Sequence, residues 1–306
     1  MRFCTFKTPR DGRQRTGVVE GSKVYGVKGQ AALLEMIESG RTKAEVEIEG
    51  DGIDLGKSEL LAPIRRPGKI IATIVNTQAM LGGKDIHLDR PRLDMKAPST
   101  VVGPREKILA PIGGLRPEVE LAAVVGRKIS RATEEEAQSS IFGYTVLNDL
   151  TAPQDSREDA YEAYRRDRTT GEIRRSTMRG PLFRSKNHDA FCPMGPWIVT
   201  PDESDRWSDL RMTTEFDGRL VQEGSTSEYL FSPAKIASYV SGFLSLEPGD
   251  IVSCGSVGWT REALGSLDPT EYVLPRMDGT LELEIEGIGR LVNPVLKDMP
   301  LGRGAR

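Results

Sequence analysis

The sequence predicts an α+β fold dominated by strands, with a small N-terminal unit ahead of a larger one. Short runs rich in Val, Ile and Tyr recur between Gly, Pro and Asp turns, while few stretches carry a helical stripe. The segment Ala62-Pro63-Ile64-Arg65-Arg66-Pro67-Gly68 then interrupts the pattern with two φ-restricted residues. It is the expected boundary between a β-rich unit at 1–65, with a helix of its own, and a unit at 66–306.

Taken in order, Gly17 to Val27 reads as two short strands around a Gly21-Ser22 turn. Ala31 to Ser39 places Leu33, Leu34, Met36 and Ile37 at helical spacing and stops at Gly40. Lys69 to Val75 opens the larger unit as a strand, and the runs around Val119–Val125 and Tyr144–Asp149 follow as strands. Thr133 to Ser140 and Pro233 to Phe243 read as helices, the second with Ile236, Val240 and Phe243 on one face. Ser156 to Tyr164 reads as a helix capped by Ser156, with the pattern broken at Thr169-Thr170-Gly171. Leu210, Met212 and Thr214 alternate with polar residues within Asp205 to Val221, and Asp217-Gly218 makes a hairpin turn. Gly302 to Arg306 reads as a frayed tail.

Composition narrows the function classes. The 306 residues carry 42 basic and 45 acidic side chains, so no net basic charge speaks for nucleic acid. No apolar run approaches the roughly 20 residues of a membrane span, and the first ten residues lack the apolar core of a signal peptide. Cys4, Cys192 and Cys254 are odd in number and far apart, which suits small buried hydrophobes in a reducing compartment. A cytoplasmic protein is the expectation.

Against this background Glu118 and Glu120 stand out, because they put two carboxylates into a strand-like run, Pro117 to Gly126. On a strand, side chains two apart share a face with α-carbons roughly 7 Å apart. Two like charges there raise each other's proton affinity, and a divalent cation between them removes the penalty. Asp149, closing the run Tyr144 to Asp149, offers a third oxygen. Three carboxylates with no nearby Cys or His describe an all-oxygen site for Mg²⁺, Mn²⁺ or Ca²⁺. Spacing alone fits equally a solvated strand face with Asp149 in a turn.

These residues sit in a series of stretches that resembles the fumarylacetoacetate hydrolase family, in its bacterial form with a small N-terminal domain. The series runs from Lys96 to Pro104 through Glu118-Val119-Glu120-Leu121, Gly143 to Asp149 and Arg184 to Trp197. It continues through Leu246 to Ile251 and Glu284 to Gly289, so the resemblance covers most of the chain. The resemblance implies a mixed β-roll in the larger unit, commonly dimeric. It also implies that Glu118, Glu120 and Asp149 hold the metal, Mg²⁺ foremost, and that Lys186 contacts a small keto acid substrate. Asn76 and Ser256, in segments that border the family's pocket, are the further substrate-binding candidates.

Departures from the family pattern bear on chemistry. Where members commonly read Asn-Tyr-x-x-His-x-x-Glu, this chain reads Asn76-Thr77-Gln78-Ala79-Met80-Leu81-Gly82-Gly83, so Met80 and Gly83 replace the water-activating pair. Neither replacement can move a proton. His87 is a candidate stand-in base, with a solvated loop histidine as the plainer reading. His188, two positions from Lys186, is expected on the same side of a strand as that lysine, which makes it the better of the two histidines for a catalytic role near substrate, with a packed histidine as the plainer reading. An insertion from Arg157 to Arg184 carries Arg165, Arg166, Arg168, Arg174, Arg175 and Arg179 among several acids. It reads as a solvated loop, or as the source of one guanidinium for a substrate carboxylate. The implied activity is metal-dependent hydrolytic C–C cleavage of an acylpyruvate-like 2-oxo acid. Decarboxylation, keto–enol isomerisation and a catalytically idle metal-binding scaffold are the alternatives.

Overall fold

The computed structural model describes residues 1–9, 11–30, 32–40, 45–82, 86–202, 207–268 and 271–297. The first strands and helices are β1 (Arg2–Lys7), β2 (Gln14–Glu20), β3 (Lys23–Val27), α1 (Leu33–Glu38), β4 (Ile48–Asp54), β5 (Glu59–Leu61), β6 (Ile70–Val75) and α2 (Gln78–Leu81). Then come β7 (Arg92–Lys96), β8 (Val101–Val102), β9 (Ile108–Ala110), β10 (Val119–Val125), α3 (Glu134–Ser140), β11 (Ile141–Asn148) and α4 (Pro153–Glu158). They are followed by β12 (Tyr161–Arg166), β13 (Ile173–Met178), α5 (Phe183–Lys186), β14 (Cys192–Val199), β15 (Arg211–Phe216) and β16 (Arg219–Ser225). The last are α6 (Pro233–Ser241), β17 (Ile251–Ser256), α7 (Arg261–Leu264), β18 (Gly279–Ile285) and β19 (Gly289–Lys297).

Strands dominate, as expected. A large sheet runs β4-β3-β2-β1-β14-β11-β10-β17-β6-β7, and a second sheet, β16-β15-β18-β19-β9, packs across its centre. The N-terminal strands join the large sheet through β1 and β14, with Phe3 opposite Ile198. β10 lies between β11 and β17, and all seven of its residues are buried. Its period of two sorts them: Val119, Leu121, Ala123 and Val125 pack in the main core, whereas Ala122 and Val124 face a second core with Leu33, Met36 and Ile37 of α1. Glu118 and Glu120 fall on the even-numbered set.

Several sequence expectations meet their elements. Thr133 caps α3 in a capping box with Glu136, and Asp217-Gly218 turns β15 into β16. Others need correction. The helix expected at Ser156 to Tyr164 is α4 at Pro153–Glu158, and Tyr161 onward is strand β12 paired with β13. Pro153 starts the helix early, while Asp167 accepts from the backbone N–H groups of Thr169 and Thr170 to close the hairpin. Phe243 lies beyond the end of α6, largely exposed against Tyr239, so the core face of that helix is Ile236, Ala237 and Val240. Ala31, Asp205 and the 302–306 tail lie outside the described residues.

Candidate metal centre

Glu118 is held just ahead of β10: its backbone N–H donates to Asn148 Oδ1 at 3.0 Å, and its carbonyl accepts from Asp149 N at 2.9 Å. That pairing carries Asp149, the residue after β11, to the level of the two glutamates. The three side chains are buried, and their nearest ligand oxygens all lie within 4.8 Å of one another. Among the described residues no other group of three His, Cys, Asp or Glu side chains converges this way. The strand geometry read from the sequence is therefore present, and the solvated-face alternative is not.

Two lysines balance the cluster. Lys186, the last residue of α5, donates from Nζ to Glu118 Oε2 at 2.8 Å and to Asp149 Oδ2 at 2.5 Å. Lys96, the last residue of β7 and wholly buried, lies 2.7 Å from Asp149 Oδ1 and donates to the carbonyls of Lys186 and Leu150. It thereby ties the end of α5 to the exit of β11. Burial works to raise Asp149, but the two ammonium groups outweigh it and hold the carboxyl below its ordinary value. For Lys186 burial works downward and the Asp149 and Glu118 carboxylates prevail, raising it.

Glu120 is different. Burial first, then the charge of Asp149, push its carboxyl up to about 8, only partly offset by the Ser253 hydroxyl. The Ser253 Oγ and the Gly255 N–H both donate to Glu120 Oε2, at 2.5 and 3.0 Å. Gly255 reaches it from a left-handed conformation, φ +88°, at a register shift between β10 and β17. A Cβ there would meet Asn76 Cβ at 2.7 Å, which makes glycine the residue that fits.

A divalent cation fits these donors. Asp149 Oδ1, though close to Lys96, makes no aligned hydrogen bond and keeps a free lone pair inside a buried cluster. With Glu120 ionised, three carboxylates against two ammonium groups leave one negative charge, which a doubly charged ion would turn to one positive; with Glu120 protonated the cluster is neutral without an ion. The donor set is all oxygen, the chemistry of Mg²⁺, Mn²⁺ or Ca²⁺.

The remaining expected residues are placed unevenly. Ser256 stands opposite Glu120 on β17, its Oγ accepting from Gln222 Nε2 at 3.0 Å. The amide of buried Asn76 donates to the carbonyls of Phe231 and Cys254 and accepts from Phe231 N, so both its protons tie β6 to neighbouring segments. Lys186 and His188 do not share a strand: α5 ends at Lys186, and the His188 ring turns to Asp155 Oδ2 at 2.5 Å and packs on Phe191. His87 is exposed, and Met80 is half-buried on α2. Gly83 lies outside the described residues.

Sequence reasoning missed four contributors. Lys96 looks like a surface lysine by composition, and Ser253, Thr151 and Gln222 carry no local signal. Gln222 is wholly buried and also accepts from Val119 N and Thr214 Oγ1, so it fixes the start of β10. Thr151 Oγ1 donates to Glu118 Oε2 at 3.3 Å.

Residues 69–296 match the family model described as fumarylacetoacetate (FAA) hydrolase C-terminal. The chain belongs to the fumarylacetoacetate hydrolase family. It is 28% identical over 294 residues to a 2,4-didehydro-3-deoxy-L-rhamnonate hydrolase of Sphingomonas sp. strain SKA58, covering 94% of each chain. It is 26% identical over 322 residues to a maleylpyruvate hydrolase of Aquipseudomonas alcaligenes, covering 94% of this chain and all of the other. Among solved structures, the fumarylacetoacetate hydrolase of the psychrophile Exiguobacterium antarcticum superposes with a TM-score of 0.75 at 30% identity, over 97% of this chain and 100% of that one. The fumarylacetoacetate hydrolase fold thus accounts for the strand-dominated architecture, and these relatives span essentially the length of this chain.

Proposed function

We propose that this protein is a divalent-metal-dependent enzyme that hydrolyses a C–C bond of an acylpyruvate-like 2-oxo acid. The observation that carries the reading is the buried convergence of Glu118, Glu120 and Asp149 beside Lys186. Mg²⁺, Mn²⁺ or Ca²⁺ held there supplies Lewis-acid chemistry, polarising a 2-oxo group and stabilising enolate charge. With a doubly charged ion the cluster carries one net positive charge, and the substrate's own carboxylate neutralises it. Lys186 places its ammonium group beside the developing oxyanion, and Lys96 keeps the α5 end that carries it in place. Ser256 and Asn76 shape the neighbouring wall, and His87 is the candidate proton acceptor. His188, engaged with Asp155, has a positioning role. Residues 66–306 form the catalytic unit and 1–65 a small accessory one, in a cytoplasmic homodimer. No described helix is long and apolar enough to cross a membrane.

Met80 favours a second reading, because a thioether at the family's histidine position cannot activate water. Keto–enol isomerisation or decarboxylation needs the same enolate without a hydrolytic water. Turnover with Mg²⁺ or Mn²⁺ on acylpyruvates and on oxaloacetate, followed by NMR, separates the readings. Hydrolysis of an acylpyruvate that disappears in Glu118→Ala supports the first. Oxaloacetate conversion alone supports the second, and inertness toward both supports an idle scaffold. Retained hydrolysis in His87→Ala removes that histidine as the base.

A further inference from the structure

A cleft of about 600 Å³ opens beside the carboxylate cluster, and its wall carries three guanidinium groups, those of Arg116, Arg157 and Arg179. Two backbone bridges bind it to the metal centre. Arg116 N donates to Thr151 O at 2.8 Å and Thr151 N to Arg116 O at 3.0 Å, one step along from the Glu118–Asp149 pairing. Thr151 lines the cleft and at the same time hydrogen-bonds Glu118. Arg116 stands two residues before Glu118 in this extended segment, so their α-carbons are roughly 7 Å apart.

The charge in this cleft is unbalanced. Glu271 is its one acidic lining residue among those described. Arg157 and Arg179 pair with no carboxylate among the described residues, whereas nearby Arg174, Arg175 and Arg184 are paired with Glu172, Glu162 and the Asp155–Glu158–Asp159 group. Arg157 comes from α4 and Arg179 from the segment just after β13, so the β12–β13 hairpin brings the second guanidinium back to the first. Arg116 is held by the Tyr272 carbonyl, to which its Nε donates at 3.0 Å, whereas Arg157 and Arg179, with no carboxylate partner among the described residues, suit a substrate carboxylate, which can accept two parallel hydrogen bonds from a guanidinium.

We infer that Arg157 and Arg179, with Arg116 behind them, form an anion subsite that takes the far carboxylate of the substrate, making the enzyme selective for 2-oxo diacids over 2-oxo monoacids. The inference rests on the metal-centred reading above, because the near carboxylate and 2-oxo group must sit at the cluster. Arg157 and Arg179 determine specificity and do not touch the reacting bond.

The test is calorimetric binding to the Mn²⁺-loaded protein of matched non-reacting pairs: 2-oxoglutarate against 2-oxopentanoate, and 2-oxoadipate against 2-oxohexanoate. Oxalate, which needs the metal alone, is the reference. The diacid of at least one pair should bind at least tenfold more tightly than its monoacid. In the Arg157→Gln/Arg179→Gln double variant that advantage should fall below threefold, with oxalate affinity unchanged. Both arginines are exposed, so an unaltered thermal melt should confirm folding. Equal affinities within both pairs, or an advantage that survives the double substitution, would overturn the subsite while oxalate binding leaves the metal reading intact. Failure of oxalate to bind would overturn the metal reading, and the subsite with it.

Discussion

The carboxylate centre at β10–β11 and the β12–β13 hairpin are built from the same materials, acids matched with Lys or Arg, yet they put them to opposite use. At the centre Glu118, Glu120, Asp149, Lys96 and Lys186 are all buried, and each contact is shared among several partners. On the hairpin Glu162, Glu172, Arg174 and Arg175 are at least half exposed in their side chains and pair one to one. A desolvated charge that loses its partner has no water to turn to, whereas an exposed one does. The first arrangement makes a site out of stored charge; the second is a surface that can spare its pairs.

The largest effect expected from this contrast is at Lys96. Lys96→Met should destabilise the protein by about 3–5 kcal/mol in urea unfolding, because it strips a buried cation from Asp149 and leaves two carbonyls without a donor. A loss comparable to a surface substitution would show that the centre is wetter than its burial implies.

Next comes a pH effect with a definite sign. Glu120 in the folded protein keeps its proton up to about 8, whereas the unfolded chain releases it near 4.5. Between those values the folded state binds more protons, so the stability of the metal-free protein should fall as pH rises from about 5 to 8. Asp149, held low, works in the other direction and in a lower window: its contribution is present above 3.8 and lost as pH falls through its folded value. Glu120→Gln should flatten the slope between pH 5 and 8 and leave the acid limb in place. An unchanged slope would place the titrating group elsewhere.

The smallest effect belongs to the hairpin. Arg175→Ala removes a paired, exposed guanidinium and should leave the melting temperature within error of the parent. A drop of several degrees would mean that the hairpin ion pairs are structural.

How much of this was legible beforehand follows from how local each feature is. The Glu118–Glu120 pair could be read because a two-residue period depends only on a strand being present, and Val119, Val124 and Val125 announced one. The helix read at Thr133 to Ser140 is α3, and its capping box of Thr133 with Glu136 is just as local. The hairpin could not be read, since Ser156 is as good a helix cap as any, and what decides β12 is its pairing with residues 173–178 across the 167–172 turn, which no pattern within 161–166 announces. His188 was misplaced for a related reason: a spacing of two shares a face only on a strand, and the chain there leaves a helix. Lys96, Ser253 and Gln222 were invisible because burial of a polar side chain is a tertiary fact, settled by partners up to 133 residues away in the chain.

The most direct measurement is Mn²⁺ binding followed by electron paramagnetic resonance at pH 8, in the parent and in Glu118→Gln and Asp149→Asn. One ion should bind per parent chain, and affinity should fall at least a hundredfold in each variant while far-ultraviolet circular dichroism stays unchanged. A parent that binds no ion, or folded variants that bind as well as the parent, would contradict the account.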